Sequence, residues 1–347
     1  MRRTILAFFV WLGFLRVALG WGSEGHEAVG VLAERLISNE TRAKVQQVLS
    51  QGGDSDLASI STWADNVREA GKARGPLAND PEAAAFNQHF PHNASWHFVD
   101  LPLGTKSYAD AKEFTSPDDI VHAIARCIRV LESAQPEEMT HAQALRLLVH
   151  FVADVHQPLH CVSGYYQLED AKRPELIRDP QQAAGLPSDR GGNDLFYGPK
   201  DELHALWDVK LVESICDSPD YEVLADCLAD NSLSPQPAVR VESAQTANEA
   251  YDGIQFRLFR QSQDPPSLQI FISLPSNYEE VETKVAAQQL ANAVRSPGKG
   301  AFTYQKFTTE ASIAVRTHRF LLNSYHERFG AKNAQLRGGQ PETSQAS

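Results

Sequence analysis

Cysteine is scarce in this sequence, at 4 of 347 residues, and Cys127, Cys161, Cys216 and Cys227 form no Cys-x-x-Cys pair. That argues against a zinc site built on thiolates. Cys216 and Cys227 are close enough along the chain to suggest a disulfide, although spacing alone does not assign one. Basic charge is also in short supply: 32 Lys and Arg face 44 Asp and Glu, for a net charge of -12. Holding a polyanion on a basic surface is thereby excluded. If the substrate is a polyanion, bound cations must reverse the local field. Beyond residue 20 no run approaches the roughly 20 consecutive apolar residues that a membrane-spanning helix needs. No membrane span is expected, and no internal repeat is evident.

The apolar run that does exist stands at the start. Arg2 and Arg3 precede a stretch from Ile5 to Val17 that only Arg16 interrupts, and Ala18-Leu19-Gly20 supplies small residues. This is the outline of a secretory signal peptide over residues 1–20, cut after Gly20 so that Trp21 becomes the N-terminus. The run is too short for a membrane anchor. The expected location is secreted or periplasmic. Removal of Arg2, Arg3 and Arg16 would move the net charge from -12 to -15. Residues 21–330 are expected to form one helical domain and to act as a monomer. Residues 331–347, rich in Gly, Gln, Pro and Ser, are expected to be a disordered tail.

Hydrophobic spacing points to an all-α, multi-helix fold with few short strands. Ser116-Pro117-Asp118-Asp119 has the form of a helix start: a capping hydroxyl, a proline in the first turn, then acids on the positive dipole end. Behind it Ile120, Ile124, Cys127, Ile128 and Leu131 fall on one face. A second helix from about Thr140 to Gln157 is apolar on most sides and so expected to be buried, with Pro158 ending it. Further helices are expected near 25–37, 40–50, 55–71, 202–216, 242–262, 276–293 and 307–328. Strand-like runs are confined to Trp96–Val99 and Leu268–Ile272. Residues 166–190 lack clear periodicity and read as a surface loop.

The chemistry concentrates in His150-Phe-Val-Ala-Asp154-Val-His156-Gln-Pro158-Leu-His160. His150 and Asp154 stand four apart, so they share a helix face and can reach one ion. His204 and Asp208 repeat that spacing. Imidazole and carboxylate are the ligands zinc accepts where thiolate is absent. A lone pair of this kind is more often a surface ion pair. Here, however, the first pair sits in an apolar helix, where an unpaired charge is costly, and Asp65 and His97 also lie in apolar settings. His156 falls off the His150–Asp154 face and reads as a supporting or surface residue.

Taken together, these residues resemble the class I nucleases, single-strand-preferring zinc enzymes that share a helical fold with zinc-dependent phospholipase C. The residues that carry the resemblance are Trp21-Gly22 with His26, Trp63-Ala64-Asp65 with Arg68, His97-Phe98-Val99-Asp100, the block from His150 to His160, Gly191-Gly192-Asn193, and His204 with Asp208. They span roughly residues 21 to 210. The resemblance implies three Zn2+ per chain. One would be held by Asp65, His97, His150 and Asp154. A second would be held by the free amine and carbonyl of Trp21, with His26 and the other oxygen of Asp154, and the third by His160, His204 and Asp208. It also implies that Arg68 steadies the phosphoryl group, that Asn193 supports the site, and that Phe98 and Asp100 form a pocket for a nucleobase. The activity so implied is cleavage of single-stranded DNA or RNA with 3′-nucleotidase activity, giving 5′-phosphorylated products. Two alternatives remain open at this stage: the same metals acting on phospholipid, and an exported zinc-binding protein without catalysis. The resemblance fades after residue 210, and Arg295–Tyr304 looks like an insertion. Asn39-Glu-Thr41 and Asn93-Ala-Ser95 fit the glycosylation sequon.

Overall fold

Two helices that pack face to face set the frame, and their caps show why they begin where they do. Helix α6 (Ile120–Glu132) starts when the Asp119 side chain accepts the His122 N–H at 3.1 Å. Asp119 also takes the Ser116 N–H at 3.0 Å, so the Ser-Pro-Asp stretch forms the turn ahead of the helix rather than its first turn. The expected capping hydroxyl is therefore replaced by a carboxylate three residues on, whose charge also suits the dipole. Helix α7 (His141–Asp154) begins on a full capping box between Thr140 and Gln143. It ends at Asp154, and Pro158–His160 form a separate 3-10 turn. Ile120, Ile124, Leu147 and Phe151 are all buried where α6 and α7 meet the core. Each contributes about 1.5–3 kcal/mol from the water its side chain escapes.

The computed structural model describes residues 21–106, 108–168, 174–216, 218–229, 250–263 and 266–294. Around α6 and α7 lie α1 (Ser23–Leu36), α2 (Asn39–Gly52), α3 (Leu57–Ile60), α4 (Trp63–Ala70) and α5 (Pro81–His89). The expected helix over 55–71 is thus two helices, broken at Ser61 and Thr62. Helix α1 comes unusually close to α3: a Cβ on Gly30 would meet the Ala58 backbone at 2.7 Å. Later elements are α8 (Leu203–Ala205), a π-helical turn over Leu206–Lys210, α9 (Leu211–Glu213), α10 (Tyr221–Ala229) and α11 (Tyr278–Val294). A disulfide joins Cys216 to Cys227, tying the end of α9 to α10, while Cys127 and Cys161 are free and buried. No helix among the described residues is long and apolar enough to cross a membrane.

The strands are short except for one hairpin. Strand β1 (Leu101–Pro102) runs parallel to β2 (Val162–Ser163), and β3 (Tyr165–Gln167) pairs antiparallel with β4 (Glu175–Ile177). The expected strand at Trp96–Val99 is instead a turn and extended chain leading into β1. Its Val99 N–H bonds the His160 carbonyl at 2.8 Å, so the segment still docks beside the residues that follow α7. Residues 166–190, expected as a surface loop, carry the β3–β4 hairpin and the buried Tyr166, Ile177, Ala183 and Asp189. In the third sheet β7 (Pro266–Ser273) lies between β5 (Leu195–Phe196) and β6 (Gln255–Gln263). Strand β6 overturns the end of the helix expected at 242–262. Phe256 pairs with Ile272 and, across a bulge, Leu258 with Phe271, so pairing with β7 sets this strand. Residues 1–20, the expected helix at 307–328, the segment Arg295–Tyr304 and the tail 331–347 lie outside the described residues.

Candidate metal centre

Helix α7 supplies the centre of the site, and other elements converge on it. His150 and Asp154 lie one turn apart, with His150 Nε2 3.0 Å from Asp154 Oδ2. The chain ahead of β1 brings His97, whose Nδ1 is 3.1 Å from Asp154 Oδ2 and 3.1 Å from His150 Nε2. Helix α4 adds Asp65, with Oδ1 3.6 Å from His97 Nδ1 and 3.7 Å from His150 Nε2. Helix α1 presents His26 to the other side of the same carboxylate, Nε2 to Asp154 Oδ1 at 3.3 Å. The turn after α7 carries His160, and the π-helical turn carries Asp208 just after His204. His204 Nε2 is 3.2 Å from Asp208 Oδ2, and His160 Nε2 is 3.8 Å from Asp208 Oδ1.

Three groups result: Asp65, His97 and His150; His26, His150 and Asp154; and His160, His204 and Asp208, all buried. His150 borders both of the first two. Ligands about 2.0–2.1 Å from a tetrahedral ion sit roughly 3.3 Å from one another, which falls within this spread of separations.

Hydrogen bonding outside the cluster fixes how the rings face. The outer Nδ1 of His150 lies 2.7 Å from the Ser61 carbonyl, that of His160 2.8 Å from the His97 carbonyl, and that of His204 2.6 Å from the Gly191 carbonyl. A carbonyl only accepts, so each Nδ1 carries the proton and each Nε2 keeps a lone pair pointing inward. Several inward atoms are buried without any hydrogen-bond partner: both His26 ring nitrogens, Asp154 Oδ1, His160 Nε2 and Asp208 Oδ2. Leaving so many polar atoms unpaired is costly in an apolar interior. Divalent cations would satisfy them, and the nitrogen and oxygen donor set suits zinc.

Charge is distributed unevenly across the cluster. Burial, reinforced by Arg68, lowers the His97 pKa to about 4, and burial with His160 lowers that of His204 to about 3. Burial likewise lowers His26. All three are therefore neutral near pH 7, which is the form that binds metal. Burial pulls His150 down too, but Asp154 and Asp65 outweigh it and raise its pKa. For Asp154 burial favours the neutral acid, yet His150 and His160 prevail and hold it well below the usual carboxylate range. Asp65 is lowered against burial by Arg68, whose Nη2 lies 2.8 Å from Asp65 Oδ1. Asp208 goes the other way, pushed well up by burial with only Gln157 as a close hydrogen-bond donor.

The remaining sequence-singled residues fall around this centre. Trp21 is wholly buried, and its indole N–H donates to the Ala153 carbonyl at 2.9 Å, beside Asp154. Phe98 is one of three exposed large hydrophobics among the described residues, at 38% exposure. Asp100 Oδ1 accepts the Ser163 hydroxyl at 2.6 Å. The Asn193 amide donates to the Arg190 carbonyl at 2.7 Å, and none of its hydrogen bonds among the described residues reaches a ligand. His156 is buried rather than at the surface, with Nδ1 2.7 Å from the Val152 carbonyl. Sequence reading missed Gln157, which donates to Asp208 Oδ1 at 2.6 Å. It also missed Ser163, and Asp189, which accepts from Tyr166, Tyr251 and the backbone of Gly164 and Gly192.

Comparison with known proteins agrees with this geometry. A family model described as S1/P1 nuclease matches residues 21–295. "Endonuclease 4" of Arabidopsis thaliana is 28% identical over 229 residues, covering 62% of each chain. "Nuclease P1" of Penicillium citrinum is 28% identical over 56% of this chain and 59% of its own. "Nuclease S1" of Aspergillus oryzae is 26% identical over 58% of each. The chain thus spans less than two thirds of the length of these relatives.

Proposed function

Because the chain belongs to the S1/P1 nuclease family, we propose that it is an exported phosphoesterase that holds three zinc ions and cuts single-stranded DNA or RNA. On the same reading it removes 3′-phosphates from nucleotides and leaves 5′-phosphorylated products. The observation that carries this reading is the convergence of eight buried His and Asp side chains in three groups, with inward atoms that lack partners. Asp65, His97, His150 and Asp154 would hold one ion. Trp21, His26 and Asp154 would hold the second, and His160, His204 and Asp208 the third. When bound, such ions supply Lewis acidity and lower the pKa of water toward neutrality.

The chain's own groups account for binding and orientation. Arg68 is held by Asp65, Nη2 to Oδ1 at 2.8 Å, and its guanidinium keeps further N–H donors beside the buried cluster. Those donors suit a phosphoryl oxygen as negative charge grows on it. Phe98 presents an exposed ring on which a base of any identity can stack. Asp100, next to it, offers a carboxyl to a base edge. A base paired in a duplex cannot leave its stack cheaply, so this arrangement favours unpaired strands. Cleavage of residues 1–20 would free the Trp21 amine as a ligand, which makes export part of the site's assembly. The buried position of Trp21 against Ala153 is consistent with that role.

The test is to incubate the purified mature chain with single-stranded DNA, single-stranded RNA and phosphatidylcholine vesicles, each with and without a chelator. Chelator-sensitive release of nucleotides is the expected result. Cleavage of the lipid without nucleotide release would overturn the substrate assignment, and chelator-resistant activity would overturn the metal assignment.

A further inference from the structure

Asp189 is wholly buried, and its carboxyl gathers donors from three stretches of chain. The N–H groups of Gly164, between β2 and β3, and of Gly192 both donate to Oδ1 at 3.0 Å. The Tyr166 hydroxyl donates to Oδ2 at 2.8 Å, and that of Tyr251, ahead of β6, donates to Oδ1 at 2.9 Å. Position 164 has no room for a side chain, since a Cβ there would meet Asp189 Oδ2 at 2.6 Å. Burial pushes the Asp189 pKa up to about 7 against the pull of these four donors, so the group is ionised above neutral pH.

The Gly192 N–H belongs to the same peptide group as the Gly191 carbonyl, and that carbonyl accepts Nδ1–H of His204 at 2.6 Å. The N–H and C=O of a trans peptide point to opposite sides of one rigid plane. Asp189 and His204 therefore grip the two ends of a single plane. Glycines flank it, at φ 60° and φ 78°, and glycine leaves a peptide freer to turn than any other residue. Leu159 crowds Gly191 from one side, which limits its displacement but does not aim the plane that follows. The Asp189 carboxylate supplies that aim. It also polarises the peptide, so that the carbonyl oxygen becomes more negative and binds the imidazole N–H more tightly. A stronger acceptor on Nδ1–H makes Nε2 a better metal ligand.

We propose that Asp189 is a positioning residue that sets the Gly191–Gly192 peptide for the metal ligand His204. The proposal rests on the reading of His204 as a zinc ligand. Asp189 has no hydrogen bond to His204 itself and acts through the peptide between them. Asp189→Ala frees the plane and removes the charge. Asp189→Asn keeps one oxygen for both backbone N–H groups and turns its amide toward hydroxyls that can also accept, so it holds the plane without the charge.

Two measurements on the full mature chain at pH 8 test this. In the first, free Zn2+ is lowered with a graded chelator buffer and bound zinc is counted. Asp189→Ala is expected to release one ion at roughly 10- to 100-fold higher free zinc than wild type, with the other two unchanged. Asp189→Asn should recover most of that loss. In the second, the imidazole N–H proton of His204 is followed by NMR in the chelated chain and identified by its absence from His204→Asn. It should move upfield in Asp189→Asn and further in Asp189→Ala. Zinc retention by Asp189→Ala equal to wild type, equal loosening of all three ions, an Asp189→Asn no better than Asp189→Ala, or a His204 proton unmoved in both would overturn the proposal. If Asp189→Ala does not fold, the His204 proton in Asp189→Asn decides alone. A wild type that binds no zinc while that proton moves as expected defeats the metal reading and leaves the positioning role standing. A zinc-loaded wild type whose His204 proton ignores Asp189 does the reverse.

Discussion

Two His–Asp pairs with the same four-residue spacing meet very different surroundings in this protein. His150 and Asp154 belong to a regular helix, and Asp154 is ringed by His26, His97, His150 and His160 within 3.7 Å. That ring holds Asp154 ionised well below the usual range, despite burial. His204 and Asp208 straddle the start of a π-helical turn, a rare conformation that often marks functional sites. Asp208 has two histidines and Gln157 near it, and burial pushes its carboxyl well up. One motif therefore yields two kinds of candidate metal ligand. Asp154 is a permanent anion that can serve two ions at once. Asp208 is a carboxyl that an arriving cation must help to ionise.

This contrast orders the expected effects of mutation. Asp154→Asn removes the shared anion, and the rate of single-strand cleavage should fall by at least about 10³-fold, the upper end for loss of one preorganised group. A kinetic assay in saturating zinc checks this, and recovery of the rate by added metal would break the distinction. Asp208→Asn should cost about 10²–10³-fold and be partly restored by excess zinc, because only one ion depends on it.

Smaller effects probe the supports of the second pair. Gly191→Ala forces a side chain onto φ 60° and against Leu159. It should destabilise the fold by about 1–3 kcal/mol, read by denaturant unfolding, and loosen the ion at His204 without touching that at His97. Gln157→Leu removes the donor to Asp208 and should weaken that same ion roughly 10- to 100-fold. Chelator competition resolves whether one ion or all are affected.

Acid offers the gentlest test. In the chelated chain His204 titrates at about 3, against about 6.5 when unfolded. The unfolded state thus binds the proton first as pH falls. The stability this gives the fold is present above about pH 6.5 and lost progressively down to about pH 3. Replacing His204 by Asn should reduce the slope of unfolding free energy between pH 6.5 and 4 by about one bound proton. An unchanged slope would mean that His204 is not the neutral, buried base described above.

Most of the candidate site could be read in the sequence because its signals are local. Helical spacing of four places His150 with Asp154 and His204 with Asp208, and charged residues in apolar runs mark Asp65 and His97 as needing partners. Helix α7 was legible for the same reason, from a dense apolar pattern closed by Pro158, although it ends at Asp154 rather than near Gln157. What escaped were features set by distant chain. Strand β6 is held by pairing with β7, and that partner outweighs whatever helical character residues 255–262 possess. Asp119, rather than Ser116, caps α6 because it also satisfies the turn before it. Gln157, Ser163 and Asp189 act across 23 to 51 residues or more. A single polar residue carries no periodicity by which to be found.

The most direct test of the whole account is to count zinc in three purified mature chains: wild type, Asp208→Asn and Asp154→Asn. Three ions, two ions and one ion per chain, in that order, are expected, because Asp154 alone is shared. Equal zinc loss from the two variants, or a wild type that binds no zinc, would contradict it.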